Sequence, residues 1–182
     1  MSHLNDEELM ARTANGCEQS FSELYGRFGV RMHRYFYRML GQDVHVADDF
    51  TQDLFMKIIE KGAYYDPKKR FSTWLYTVAG NMVKNEYRRI GRQKPLPAAP
   101  GFFDENFSEK IDSEVFEKHL LVALEGLDET QKQCFVLRYQ EELSMKEIAQ
   151  IVGCPEGTVK SRLFYTVRKL ADKLRAFAGV LA

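Results

Sequence analysis

Cysteine is scarce in this 182-residue chain: Cys17, Cys134 and Cys154 are an odd number, far apart, with no C-x-x-C pair among them. The four histidines, His3, His33, His45 and His119, fall at no ligand spacing. A zinc ribbon and a disulfide framework are therefore excluded, and a reducing compartment is indicated. No apolar run approaches 18 residues and no apolar h-region opens the chain. Neither a membrane span nor export is expected, and the expected location is cytoplasmic. No stretch alternates apolar and polar residues for long enough to read as a strand. An excess of either charge is missing too, since Lys+Arg and Asp+Glu both number 26.

What is present is a core-forming composition, 45% hydrophobic and 13% aromatic, with the charge sorted along the chain. Net charge is −4 over residues 1–56, +6 over 57–92, −2 over 93–113, −5 over 114–159 and +5 over 160–182. Each half starts acidic and ends basic. Two separate basic patches suit two contacts with a polyanion, leaving the acidic surface for another partner.

The helical periodicity is continuous enough to predict an all-α fold. Asn5 caps a short first helix ending near Asn15-Gly16. Phe21, Leu24, Tyr25, Phe28, Met32, Tyr35, Phe36 and Met39 then keep three- and four-residue spacing for about five turns, which reads as a bundle core rather than a cofactor surface. Asp43 caps a helix over 44–61 with Ala47, Phe50, Leu54 and Ile58 inward and Asp48, Asp49, Gln52, Asp53 and Lys57 outward. The D-D-x-x-x-D spacing invites a metal-dependent phosphoryl or prenyl enzyme. It is one residue off the prenyl-diphosphate pattern and has no second acidic cluster, so neither a metal nor any other cofactor is expected.

Ala63 to Phe71, A-Y-Y-D-P-K-K-R-F, sets Tyr64 and Tyr65 beside Lys68, Lys69 and Arg70, stacking surfaces next to phosphate-binding cations. Ser72 is expected to cap the next helix, with Leu75, Val78, Ala79, Met82 and Val83 inward. Thr73, Thr77, Asn81, Lys84, Asn85, Arg88 and Arg89 are expected outward, while Trp74 fits either side. Residues 93–113 hold three prolines in six positions and then an acidic, aromatic tail, the composition of a linker between two helical domains, 1–92 and 114–182.

In the second half, Glu114 to Glu125 reads as a helix, and Asp128 with Gln131 at the capping-box position opens another. Ser144 with Glu147 forms a second capping box, and Gly153 ends the short helix it starts. Pro155 suits the first turn of the helix that follows. Ile148, Ala149 and Val152 can pack on Val159, Leu163 and Val167, the arrangement of a helix-turn-helix. Thr158, Lys160, Ser161, Arg162, Tyr165, Arg168 and Lys169 remain outward, donors and cations suited to phosphates and base edges. Cys154, beside this helix, reads as a small turn residue rather than a redox switch.

With both halves in view, the chain resembles bacterial RNA polymerase sigma factors of the extracytoplasmic-function (ECF) type, the small ones with only region two and region four. V-A-D-D-F-T-Q-D-L-F-M-K-I resembles the family's core-binding helix, F-S-T-W-L-Y-T-V-A-G-N-M-V-K-N-E-Y-R-R its −10 helix, and L-D-E-T-Q-K-Q-C-F-V-L-R-Y with E-I-A-Q-I-V-G-C-P-E-G-T-V-K-S-R-L its region four. Gln52-Asp53-Leu54 has the shorter acid where the family has Glu.

The resemblance implies a non-enzymatic promoter-specificity subunit whose partners are core RNA polymerase and promoter DNA. Asp48, Asp49, Gln52, Asp53 and Phe55 would dock on the clamp helices of the largest subunit, and the flap would receive region four. Tyr64, Tyr65, Lys68, Lys69, Arg70, Trp74, Asn81, Lys84, Asn85 and Arg88 would take the melted −10 strand. Thr158, Lys160, Ser161, Arg162, Tyr165, Arg168 and Lys169 would read the duplex −35 element. The acidic linker would thread the polymerase's basic channels, and an anti-sigma factor is a further implied partner; a membrane is not. The competing reading is a helix-turn-helix regulator that binds DNA without polymerase, for which the acidic helix has no use.

Overall fold

The computed structural model describes residues 4–91 and 113–179. The expected linker at 93–113 lies outside the described residues except for Ser113. Every regular element among the described residues is helical: α1 Asp6–Ala14, α2 Glu18–Met39, α3 Val44–Lys61, a 3-10 turn Gly62–Tyr64, α4 Phe71–Gly91, α5 Ser113–Glu125, α6 Glu129–Tyr139, α7 Met145–Val152 and α8 Glu156–Gly179.

Caps define the boundaries. Asn5 and Glu8 close a reciprocal capping box on α1, and Ser144 and Glu147 do the same on α7. The Asp43 carboxylate accepts the N–H groups of His45 and Val46 at the start of α3. Gly153 ends α7 at φ 71°, a left-handed conformation that glycine adopts without Cβ strain. Two expected caps differ. α4 begins at Phe71, one residue before Ser72, because the Glu7 carboxylate of α1 accepts the Phe71 N–H at 2.9 Å. On α6, Asp128 accepts from the Gln131 N–H, but the reciprocal bond is missing and Gln131 Oε1 is buried without a partner.

α1, α2, α3 and α4 pack around Leu24, Phe28, Met32, Tyr35, Phe36, Phe71 and Leu75, and α5 to α8 form the second group. Each fully buried Phe in such a core contributes ~1.5–3 kcal/mol. α8 turns Val159, Leu163, Thr166 and Leu170 inward, whereas Val167, expected in that stripe, is 40% exposed. The reason is register: α5 and α6 lie against the Leu163, Thr166 and Leu170 side of the helix.

The two groups do not stand apart. One continuous cluster joins the first-half core to Val136, Leu137, Leu143, Ile148 and Ile151, with α7 on α4 and α6 on α2. This burial corrects the expected outward position of Thr73, which is only 8% exposed because α7 lies over that side of α4.

Lys132 is 1% exposed and its ammonium meets Glu125 Oε1 at 2.7 Å. Glu125→Ala leaves that charge buried without its partner, an expected loss of about 2 kcal/mol, between exposed and buried pairs. Lys132→Met, which removes the charge and keeps the volume, is expected to be near neutral. Chemical denaturation of the two variants checks this ordering.

Candidate functional site

Three surfaces carry the candidate residues. On α3, Asp48, Asp49, Gln52 and Asp53 all face solvent, and Asp48 Oδ1 lies 3.2 Å from His33 Nε2. Phe55 does not share this face. It is 2% exposed, packed edge-on against Tyr25 at 4.7 Å and Phe21 at 6.1 Å, because the buried stripe of α3 widens to include Thr51, Leu54, Phe55 and Ile58. The apolar residues beside the acids are instead Met56 and Ile59, 56% and 47% exposed, one and two turns beyond Gln52. Their spacing from Gln52, off the Leu54 and Ile58 stripe, was the signal that could have found them.

The second surface joins the turn before α4 to α4 itself. Tyr64 is 84% exposed, while Tyr65 is 7% exposed in a cluster with Trp74 at 5.2 Å and Phe71 at 6.0 Å. The Tyr65 hydroxyl donates to the Lys69 carbonyl, and burial, with Glu7, Asp66 and Asp6 nearby, pushes it up to about 12. Tyr65 therefore shapes the turn and offers no free ring to a base. Asp66 accepts the Lys68 N–H at 3.0 Å, and the exposed Lys68, Lys69 and Arg70 project from this fixed loop. Trp74 is half-buried, and Asn81, Lys84, Asn85 and Arg88 are exposed.

The third surface is α8. Pro155 supplies the carbonyl that accepts the Thr158 and Val159 N–H groups, starting the helix directly after the turn. Lys160, Ser161, Tyr165, Arg168 and Lys169 are exposed, Thr158 is half-buried, and Ser161 donates back to the Thr158 carbonyl at 3.0 Å. Arg162 folds toward the turn, its Nη1 3.5 Å from Cys154 Sγ. Burial pushes the neighbouring Cys134 thiol up to about 11, with Arg162 pulling the other way.

These surfaces separate by charge: exposed carboxylates on α3, cations on α4 with its preceding turn, and cations on α8. An acidic face can meet a basic partner and cationic faces a polyanion. Family models match both halves of the chain. Residues 24–93 match Sigma-70 region 2 and residues 118–170 match Sigma-70, region 4. The chain belongs to the sigma-70 family, in its ECF group.

The ECF RNA polymerase sigma factor SigW of Bacillus subtilis is 29% identical over 93% of this chain and 96% of its own length. The ECF RNA polymerase sigma-E factors of Haemophilus influenzae and Escherichia coli K12 are 28% and 29% identical, each over 94% of this chain and 96% and 95% of their lengths. Among solved structures, CnrH in complex with the cytosolic domain of CnrY superposes with a TM-score of 0.72 at 24% identity, covering 94% of this chain and 97% of that one. The sigma factor RpoE of Bartonella quintana, in complex with the anti-sigma factor NepR, gives 0.70 at 22%, covering 86% and 98%.

The all-α fold is thus that of ECF sigma factors. This sigma factor is a non-enzymatic initiation factor that binds core RNA polymerase and confers promoter specificity. Family membership decides against the polymerase-independent regulator. No helix among the described residues is long and apolar enough to cross a membrane.

Proposed function

We propose a division of labour among the three surfaces. Residues 1–92 bind the clamp helices of polymerase through Asp48, Asp49, Gln52 and Asp53, with Met56 and Ile59 as apolar anchors beside them. The same unit captures the melted −10 strand through Tyr64, Lys68, Lys69, Arg70, Trp74, Asn81, Lys84, Asn85 and Arg88. Residues 114–182 meet the polymerase flap and read the duplex −35 element through Thr158, Lys160, Ser161, Arg162, Tyr165, Arg168 and Lys169, and residues 93–113 tether the two. The factor works in the cytoplasm.

The observation that carries this reading is the pairing of one exposed acidic helix face with two exposed cationic faces in a chain matched by both sigma regions. Unpaired bases need stacking surfaces and phosphates need cations. Base edges need donors at the start of a groove-sized helix. CnrH and the Bartonella RpoE are each seen with a bound partner, CnrY or NepR, and an anti-sigma partner is part of the proposal for this factor too.

In vitro transcription with purified core polymerase and the promoter upstream of this factor's own gene tests the whole. Promoter-specific initiation is expected, and no initiation together with no core association overturns the reading. Within it, Arg162→Ala is expected to weaken −35 recognition by roughly 1–3 kcal/mol with relaxed sequence preference. Binding to a panel of −35 variants separates this from a phosphate contact, which weakens all sequences alike.

A further inference from the structure

Thr158, Ser161, Arg162 and Tyr165 recur at three- and four-residue spacing on α8, so they share one helix face with Arg162 near its centre. Helical side chains slant toward the N-terminus of their helix, which carries a long arginine back over the preceding turn. Arg162 follows that slant. Its Nη1 donates to Cys154 Sγ at 3.5 Å, eight positions earlier in the chain. It also acts on Cys134 of α6, where burial pushes the thiol up while the charge and hydrogen bonding of Arg162 pull it down. The guanidinium therefore rests beside sulfur from two separate elements.

The turn that carries Cys154 is held on both sides. The Ala149 carbonyl accepts the Gly153 N–H at 2.9 Å and the Cys154 N–H at 3.1 Å. Directly after the turn, the Pro155 carbonyl accepts the N–H groups of Thr158 and Val159 at 2.9 and 3.1 Å. Cys154 itself packs on the core cluster that includes Cys134, Val159 and Leu163. Its sulfur is a fixed point beside a mobile type of side chain.

The chemistry of that fixed point suits an arginine that must still bind something else. A carboxylate orders a guanidinium strongly, but it occupies the fork of donors and offsets the charge that phosphates and base edges need. No carboxylate among the described residues lies within ion-pair distance of Arg162. A thiol is only a weak acceptor, so it gives direction while leaving the other N–H donors to the DNA.

We propose that Cys154 is a positioning residue for −35 recognition, holding the Arg162 guanidinium in the direction from which it meets the DNA. The role rests on the assignment of Arg162 to the −35 element. A side chain already ordered in the free factor loses less freedom when it binds. The turn before α8 thus does more than start the helix: it aims one of the donors that the helix presents.

Cys154→Val, which keeps the bulk without the acceptor, and Cys154→Ser, which keeps an acceptor, test this beside Arg162→Ala and the Cys154→Val, Arg162→Ala double variant. Each is made in the full-length factor, with melting curves to confirm the fold, and Cys154→Ala replaces the valine variant if valine disturbs the turn. Holoenzyme binding is measured on the factor's own promoter and on single-base substitutions across its −35 element. Cys154→Val is expected to weaken binding about fivefold, the scale of ordering one rotamer-rich side chain on association, and to relax preference at the same base positions as Arg162→Ala. Cys154→Ser is expected to match the wild type, and Cys154→Val to add nothing once Arg162 is gone. In the DNA-free factor, the heteronuclear NOE of the Arg162 Nε–H is expected to fall in Cys154→Val and to hold in Cys154→Ser. A Cys154→Val profile equal to the wild type, while Arg162→Ala still relaxes the panel, overturns the positioning role alone. A Cys154→Val defect of the same size without Arg162, or one that serine does not rescue, does so too. If Arg162→Ala leaves the panel unchanged, the −35 assignment itself falls and the positioning role falls with it.

Discussion

Reversing both Asp49 and Asp53 to Lys is expected to lower affinity for core RNA polymerase about a hundredfold, about 2.7 kcal/mol. Both carboxylates are exposed on one face of α3, and no ion pair within the described residues uses either of them. Stability should therefore change by no more than about 0.5 kcal/mol. At the docked interface, by contrast, each reversal exchanges attraction for like-charge repulsion, which costs several kcal/mol when desolvated and less at a rim. The loss should appear partly in the association rate and shrink as salt rises. Met56→Ala with Ile59→Ala, which removes apolar area alone, should raise the dissociation rate with little salt dependence. Surface-immobilised core polymerase and a salt titration distinguish the two. Unchanged affinity in the charge-reversed variant removes α3 as the docking face.

The local features of this fold were legible because they depend on neighbours in sequence. The capping boxes at Asn5 and Ser144, the Asp43 cap and the Gly153 stop each need only three or four adjacent residues, and all four occur as the sequence implies. What the sequence hides is long-range. Glu141 sits in an E-E-L run that looks like an exposed turn, yet its partners Tyr76 and Arg31 are 65 and 110 positions away. Phe71 is capped by Glu7 across 64 positions, which moves the start of α4. Thr73 reads as outward because nothing local announces that α7 will cover it.

The candidate site was legible to the same extent. Lys68, Lys69, Arg70, Lys84 and Arg88 are cations whose exposure follows from hydration, whereas Phe55 follows a buried stripe wider than the simple three/four count. Tyr64 and Tyr65 are adjacent in a turn without periodicity. No pattern decides which ring turns in, and packing against Phe71 and Trp74 makes that choice.

Those two tyrosines should consequently fail in different ways. Tyr65→Ala removes a ring enclosed by Phe71 and Trp74 and leaves a cavity beneath the turn, and large-to-small changes of this size cost about 3–5 kcal/mol. Tyr65→Phe keeps the ring and loses only the bond to the Lys69 carbonyl, about 1 kcal/mol. Tyr64→Ala touches no core and should leave thermal stability unchanged. If Tyr64 stacks on an unpaired base, its loss forfeits ~1–3 kcal/mol of the energy that offsets base extrusion. Open-complex formation on duplex promoter should then fall about 5- to 150-fold, with a much smaller defect on a promoter whose −10 region is already unpaired. Permanganate footprinting on the two templates, beside melting curves of all three variants, separates a strand-capturing ring from a structural one. An equal transcription defect on both templates removes Tyr64 from melting, and a stable Tyr65→Ala protein contradicts the structural role of its ring.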